Sequence, residues 1–466
     1  MTNDSHRARW AAGVLAAVMA LMVACTKFKD DLLTPQNFGA IDPAAVQSAA
    51  AATALRVGAI GRLKNMVNAS GGETLWEESG NLADEFRNSD FQISRADVDR
   101  RTMTTNNPQI PYDITRSRGF IRDALAAMKQ FLPNNTADIA ELYMALGFTE
   151  MSLAENFCNG IPLGATIAGQ QSLGPPLTNA QVYDTASAHL DTALAINTGT
   201  DASSIVIKNA ALITKARILV DKGQFAAAAA LVPAAIVSST YQYIFVTSVP
   251  TGDLGIWSLN NSVARITVSD SFDILNGAVN TVKNALPFAS ANDPRVPVKA
   301  GSALNPKITA EDGTTPMFIQ QIWPGRSDPI PMVSGIDARL IEAESKLNAA
   351  DYAGMMTILN ALRAAPPKIG NFQPGPMSPI AGTPATKDDA VTLFFREKAF
   401  WVFGRGQRLS DLRRLMRQYG RTEDQTFPTG VYNGWGGGVY GHDVNFPVPD
   451  AELANPLFKG CLDRLP

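Results

Sequence analysis

Apolar side chains recur at steps of three and four along much of the chain, and these runs alternate with long stretches that lack any such period. From Pro43 to Asn68 strong helix formers carry one apolar stripe and predict a first helix. Helical periodicity returns over Tyr112–Phe131 and Thr136–Phe157. Thr178 reads as the N-cap of a further helix in which Val182, Ala186, Leu190 and Leu194 recur at steps of four. Val206–Val237 then reads as a helical hairpin that turns at DKGQF.

That hairpin has a counterpart. Ala216 precedes Phe225 by nine residues, and Ala343 precedes Tyr352 by nine, with turns at DKGQF and NAAD. A small residue lets two helices approach, and an aromatic after the turn fills the next groove. This is the packing pattern of tetratricopeptide-type helix pairs. The fold class expected is therefore mainly α: a tetratricopeptide-like helical-repeat scaffold with long irregular loop insertions and little β structure. Repeats are expected over about 43–237 and 337–420, with a loop-rich insertion over about 238–331. The insertion holds β-branched runs (YQYIFVTSV, VARITV) and the tryptophans Trp257 and Trp323 in turn-rich settings. Another non-periodic segment, Ala69–Pro111, surrounds Trp76 with acids.

Leu393–Gly420 combines both kinds of signal. Phe395, Ala399, Val402 and Phe403 form one apolar run and Leu409, Leu412 and Met416 another, with five arginines from Arg405 to Arg417 interleaved. Gly404 and Gly406 lie between them, predicting two short helices or one bent one. The arginines read as partners for carboxylates such as Glu397 and Asp411, and the stretch as architectural. Arg408→Ala is then expected to lower stability more than ligand affinity.

At the N-terminus Arg7 and Arg9 precede an apolar run, Trp10–Ala24, that ends at Cys25. A basic start and an apolar core too short to span a bilayer read as a signal peptide over residues 1–24. Met22-Val23-Ala24-Cys25 resembles a lipobox, which implies an acylated Cys25 as the start of a single mature domain, 25–466. Export would place Cys158 and Cys461 where a disulfide persists; two separate buried thiols are the alternative. A net charge of -3 gives no electrostatic reason to expect nucleic acid.

Motifs of catalysis are missing. Beyond the leader the chain has only His189 and His442, with no metal-ligand spacing, no nucleophile elbow and no phosphate loop, so no cofactor and no metal is expected. Loop aromatics point instead to binding, because an indole stacks on the C–H face of a sugar while amides and charges take its hydroxyls. Trp76, Trp257 and Trp323 are the expected stacking residues, with Asn81, Asp84, Glu85 and Arg87 as polar contacts. Trp435 also lies in a turn-rich loop, within the glycine run GWGGGVYG.

Four segments carry a family resemblance. REKAFWVFGRGQRLSDLRR (396–414), IDARLIEAESKL (336–347), FPVPDAELANP (446–456) and AENFCNGIPLG (154–164), with the lipobox, are similar to the SusD/RagB family of outer-membrane nutrient-binding lipoproteins. FWVFGRG departs from the family's more usual Glu-Gly-Arg pattern, and no ligand motif transfers residue by residue. The resemblance implies a four-unit tetratricopeptide scaffold, a loop-built site and docking on a TonB-dependent β-barrel transporter (SusC-like). The expectation is a lipid-anchored outer-membrane protein, facing the cell exterior, that binds a nutrient such as an oligosaccharide and is not an enzyme. A repeat adaptor for protein or peptide partners is one alternative. A glycoside hydrolase, which needs two carboxylates about 5 to 9 Å apart in a cleft, is another.

Overall fold

The computed structural model describes residues 48–68, 74–167, 170–245, 252–275, 278–301 and 309–466. The expected signal peptide, Cys25 and the expected start of the repeats at residue 43 lie outside the described residues.

Twelve α-helices organise the described chain: α1 (Ala49–Asn68), α2 (Leu75–Leu82), α3 (Ile93–Asp99), α4 (Ile114–Phe131), α5 (Thr136–Asn156), α6 (Asn179–Ile196), α7 (Ala202–Asp221), α8 (Phe225–Leu231), α9 (Gly335–Asn348), α10 (Tyr352–Ala364), α11 (Lys387–Val402) and α12 (Arg408–Arg417). The scaffold is a row of packed helix pairs, α1 with α4, α5 with α6, α7 with α8 and α9 with α10, each packed on the next. The expected mainly α, tetratricopeptide-like fold is the fold observed.

Local sequence explains how the pairs form. Thr178 closes a capping box with Gln181, its hydroxyl accepting from the Gln181 amide while its own amide donates to the Gln181 side chain at 2.9 Å. Val182, Ala186 and Leu190 of α6 are buried against α5, and Gly147 permits the approach: a Cβ there would lie 2.7 Å from Leu190 Cγ. Ala216 and Ala343 are fully buried at the contacts between pairs, and Phe225 is buried beyond its turn. Both turns pass through the left-handed region, at Gly223 (φ 73°) and Ala350 (φ 57°).

The Leu393–Gly420 stretch resolves into two helices. Phe403 leaves α11 in extended conformation, Gly404 and Gly406 take φ of 67° and 64°, and α12 begins at Arg408. Arg405, Arg408, Arg413 and Arg414 are buried and each donates to a carboxylate or a carbonyl, while Arg417 reaches solvent. Arg405 donates to Asp337 at 2.6 Å, Arg414 to Glu344 at 3.0 Å and to Asp411 at 2.7 Å, and Arg413 to the Ala154 carbonyl at 3.0 Å. Asp411 also accepts from Lys398 at 2.6 Å. Glu397, however, pairs outside the stretch, with Arg295 at 2.6 Å and Arg363 at 3.0 Å, because its side of α11 faces those segments and not α12.

Strand structure is confined to six two-stranded antiparallel ladders among the described residues. One of them, Gln242–Phe245 with Ile330–Ser334, ties the insertion to its own return just before α9. Another pairs Phe86–Asn88 with Ile266–Val268, fastening the segment after α2 to the insertion. Cys158 and Cys461 are disulfide-bonded, with Cα atoms 6.0 Å apart, and the bond joins residues 303 apart in sequence. Within the described residues no helix is long and apolar enough to cross a membrane.

Candidate functional site

Two of the expected stacking residues are core residues. Trp76 lies on α2, a helix buried on every side, and its indole stacks on Phe245 at 6.3 Å and 26°. Its other neighbour is Gly406: a Cβ there would sit 2.2 Å from Trp76 Cδ1. Trp323 is fully buried, and a Cβ on Gly404 would meet its Cζ3 at 3.1 Å. The two glycines of the signature stretch are thus the floor on which these tryptophans rest. A ring clamped against backbone offers no face to a sugar, so Trp76 and Trp323 are reassigned as packing residues. Trp257 is half-buried in a π-helical turn, Trp257–Ser262, with the Arg326 guanidinium 5.7 Å from its ring.

The expected polar contacts are buried as well. Asn81 donates to Glu78 at 3.3 Å, Glu85 accepts from the Gly404 amide at 3.2 Å, and Arg87 forms an ion pair with Asp273. Asp84 adopts φ of 59° beside Arg408, which donates to the Ala83 carbonyl at 3.0 Å. The partners that bury this acidic segment are Arg95 and, from the far end of the chain, the Gly404 amide and Arg408. Asn81, Asp84, Glu85 and Arg87 are a structural network, not a rim.

Burial without full compensation leaves these carboxylates weak acids. Glu77 and Glu85 are pushed up to about 8 and Asp99 up to about 7, by desolvation first, against hydrogen bonds and nearby arginines that pull the other way. Folding therefore takes up protons between about pH 4, where free carboxyls titrate, and pH 8. A group raised in this way contributes stability that is complete below its unfolded pKa and is lost as pH rises through the folded one. The melting temperature is expected to fall between pH 6 and pH 9; a rise over that interval in calorimetric melts would contradict the assignment.

The side chains that do face solvent lie on the far side of this network. Phe91 and Trp435 are 53% and 40% exposed and meet edge to face, with ring centroids 4.9 Å apart at 89°. Phe91 follows the Phe86–Asn88 strand, in a turn held by Gln92 N donating to Asp90 at 2.8 Å and by the Arg95–Asp90 ion pair. Trp435 stands at the tip of a loop pinned by a bridge between Val431 and Val439. Gly436, Gly437 and Gly438 all have positive φ (83°, 58° and 101°), so this run can turn only where side chains are missing. Below the tip Tyr432 and Tyr440 are buried edge to face at 5.3 Å, and Tyr432 donates to Asp99 at 2.8 Å. Arg100 buttresses the loop, donating to the Gly437 carbonyl at 2.8 Å and lying 5.9 Å from the Tyr432 ring.

The result is a rigid aromatic ledge with half-buried Arg100 and Asp97 beside it, extended by exposed Ile93, Val431 and Val439. A contiguous apolar patch of this kind with a polar edge marks a binding surface. Sequence reasoning missed Phe91 altogether. It placed Trp435 among the loop aromatics without selecting it, and the glycine run beside it was the available signal. Among the described residues no group of three His, Cys, Asp or Glu side chains is arranged to hold a metal ion.

No protein-family model and no curated protein matches the sequence. Solved structures do match the fold. A SusD superfamily protein from Bacteroides vulgatus superposes with a TM-score of 0.60 at 16% identity, over 90% of this chain and 99% of that one. One from Parabacteroides distasonis gives 0.60 at 16% identity, over 88% and 98%. A structure described as a laminarin binding SusD-like protein gives 0.56 at 13% identity, over 89% and 99%. The chain has the SusD-type fold along nearly its whole described length, and the resemblance read from its motifs is met at the level of the fold.

Proposed function

We propose that this protein is a cell-surface outer-membrane lipoprotein that captures an oligosaccharide and passes it to a TonB-dependent β-barrel transporter. The observation that carries the binding step is the Phe91–Trp435 ledge: two rings fixed by glycine geometry and a buried tyrosine pair, open to solvent, with charged groups at the edge. Such rings offer the stacking face that a pyranose needs. The SusD-type fold and the laminarin-binding neighbour support a saccharide as the ligand. The lipobox at Met22–Cys25 supports the anchor, and the Cys158–Cys461 bond fits an exported protein. The protein acts by binding, without turnover.

Trp435→Ala is expected to weaken glycan binding about 10-fold or more, equivalent to roughly 1.4 kcal/mol, in calorimetry against a panel that includes laminarin. The melting temperature should be nearly unchanged, because the ring is exposed. Trp257→Ala serves as the comparison. Peptide binding with no affinity for any glycan would favour the adaptor reading and overturn this one. Cys25→Ser should abolish labelling by fatty acid and release the protein from the membrane fraction.

A further inference from the structure

A second opening lies on the helical scaffold and shares no lining residue with the Phe91–Trp435 ledge. It is a cleft of about 460 Å³ between α4 and the segments Pro162–Gly164 and Ser172–Gly174, with the short Asp450–Ala454 turn at its end. That volume lies within the range of small-ligand sites, roughly 300 to 1,000 Å³. We propose that this cleft is a separate binding site for an acidic saccharide, whose carboxylate or sulfate group is held by Arg116 and Arg122.

Its walls are fixed by groups that have other work. Arg118 donates to Glu150 at 2.9 Å and to the Gly164 carbonyl at 2.8 Å, tying α4 to the first segment. Asn455 donates to the Gly174 carbonyl at 2.8 Å, tying the far turn to the second. These contacts hold the cleft open without a ligand.

The remaining two arginines have only exposed or half-buried carboxylates beside them. Arg122 lines the cleft next to half-buried Asp123, whose carboxyl is raised by burial and pulled back by the Arg122 charge. Arg116 is two-thirds exposed and meets only the equally exposed Asp113, at 3.2 Å. On a protein of net charge -3, two guanidiniums facing one cleft without a buried partner are an anion-binding arrangement, and the planar fork suits carboxylate and sulfate oxygens. The lining also holds Asp123 and Glu452 as acceptors for hydroxyls, and the apolar side chains of Phe120 and Leu173. Anion, hydroxyls and an apolar C–H face occur together in a sugar acid or a sulfated sugar. Gly119 sits mid-face on α4, where an added Cβ would meet nothing within 4 Å, so the ligand can reach the helix backbone.

The proposal stands apart from the ledge, and calorimetry on the full chain separates the two. The probes are an oligogalacturonate, a sulfated oligosaccharide and a neutral oligosaccharide of equal length, each titrated into wild type, Arg116→Ala, Arg122→Ala, Gly119→Asp and Trp435→Ala. At least one acidic probe should bind more tightly than the neutral one and weaken sharply with added salt. That binding should fall about 10-fold in each arginine variant and in Gly119→Asp, and stay unchanged in Trp435→Ala. Which acidic probe responds identifies the anion. Gly119→Asp touches no existing contact, so it tests the cleft even if an arginine variant folds poorly. Acidic binding that survives all three cleft variants, or that is lost with Trp435→Ala, would overturn the cleft; failure of neutral glycan binding alone would count against the ledge and leave the cleft standing.

Discussion

Replacing both Cys158 and Cys461 by alanine is expected to lower the free energy of unfolding by about 5 kcal/mol, the upper end of what one crosslink contributes in the chain-entropy treatment. The size follows from the 303-residue separation, since the entropy removed from the unfolded chain grows with the loop that is closed. The native state should change little, because the final segment is also held by other means. Cys158 N donates to the Phe446 carbonyl at 2.9 Å, Leu462 N to Asn159 at 2.8 Å, and Arg464 to Asp443 at 2.7 Å. Phe446 packs on Phe157 with ring centroids 5.6 Å apart. Urea denaturation of the double variant beside oxidised wild type measures the difference, and wild type under strong reductant should approach the variant. A loss below about 1 kcal/mol would show that the unfolded chain is constrained in some other way.

The tail that this bond fastens also shows what could and could not be read from the chain. The bond was legible as one of two outcomes, because export limits what two cysteines do, but only the fold brings their Cα atoms to 6.0 Å. The repeats were legible because their cause is local: a buried alanine, a turn and an aromatic lie within ten residues of one another. The glycines of Gly404-Arg405-Gly406 were legible as a break. Their consequence was not, since it depends on Trp76 and Trp323 arriving from hundreds of residues and tens of residues away, respectively. A tryptophan in a turn-rich segment looks available until the backbone it rests against is known. The same reason hid the acidic network. Asp84 and Glu85 read as polar contacts for a ligand, and with Glu77 and Glu78 they are a buried run once Arg95, Arg408 and Gly404 surround them. Phe91 escaped notice because a lone phenylalanine between polar residues carries no periodic signal, and its exposure is a property of the loops on either side.

Arg405→Ala is expected to cost about 3–5 kcal/mol, the usual penalty for leaving one member of a buried ion pair behind. Arg405 and Asp337 are both almost wholly buried and joined at 2.6 and 3.2 Å, with Gln407 donating to the same carboxylate at 3.1 Å. Burial alone would raise Asp337, but the guanidinium, its hydrogen bonds and the nearby Arg217 together hold it below the usual carboxylate range. In wild type this pair therefore contributes stability that is present above the unfolded carboxyl pKa of about 3.9 and is lost as pH falls through the lower folded value. Without Arg405, desolvation dominates and Asp337 must be buried charged or protonated. The deficit should accordingly be largest near pH 8 and shrink towards pH 4. Arg405→Met combined with Asp337→Leu should recover only part of the loss, since the apolar pair needs no partner but Gln407 Nε2 and Ser334 N lose their acceptor. Denaturation curves at the two pH values decide this, and glycan titration on the folded fraction should show the affinity of the Phe91–Trp435 ledge unaltered. Arg408→Ala should act in the same direction, because its guanidinium is buried beside Asp84 and Glu85. A variant that folds as well as wild type yet has lost its ligand would move these arginines from the scaffold to the site.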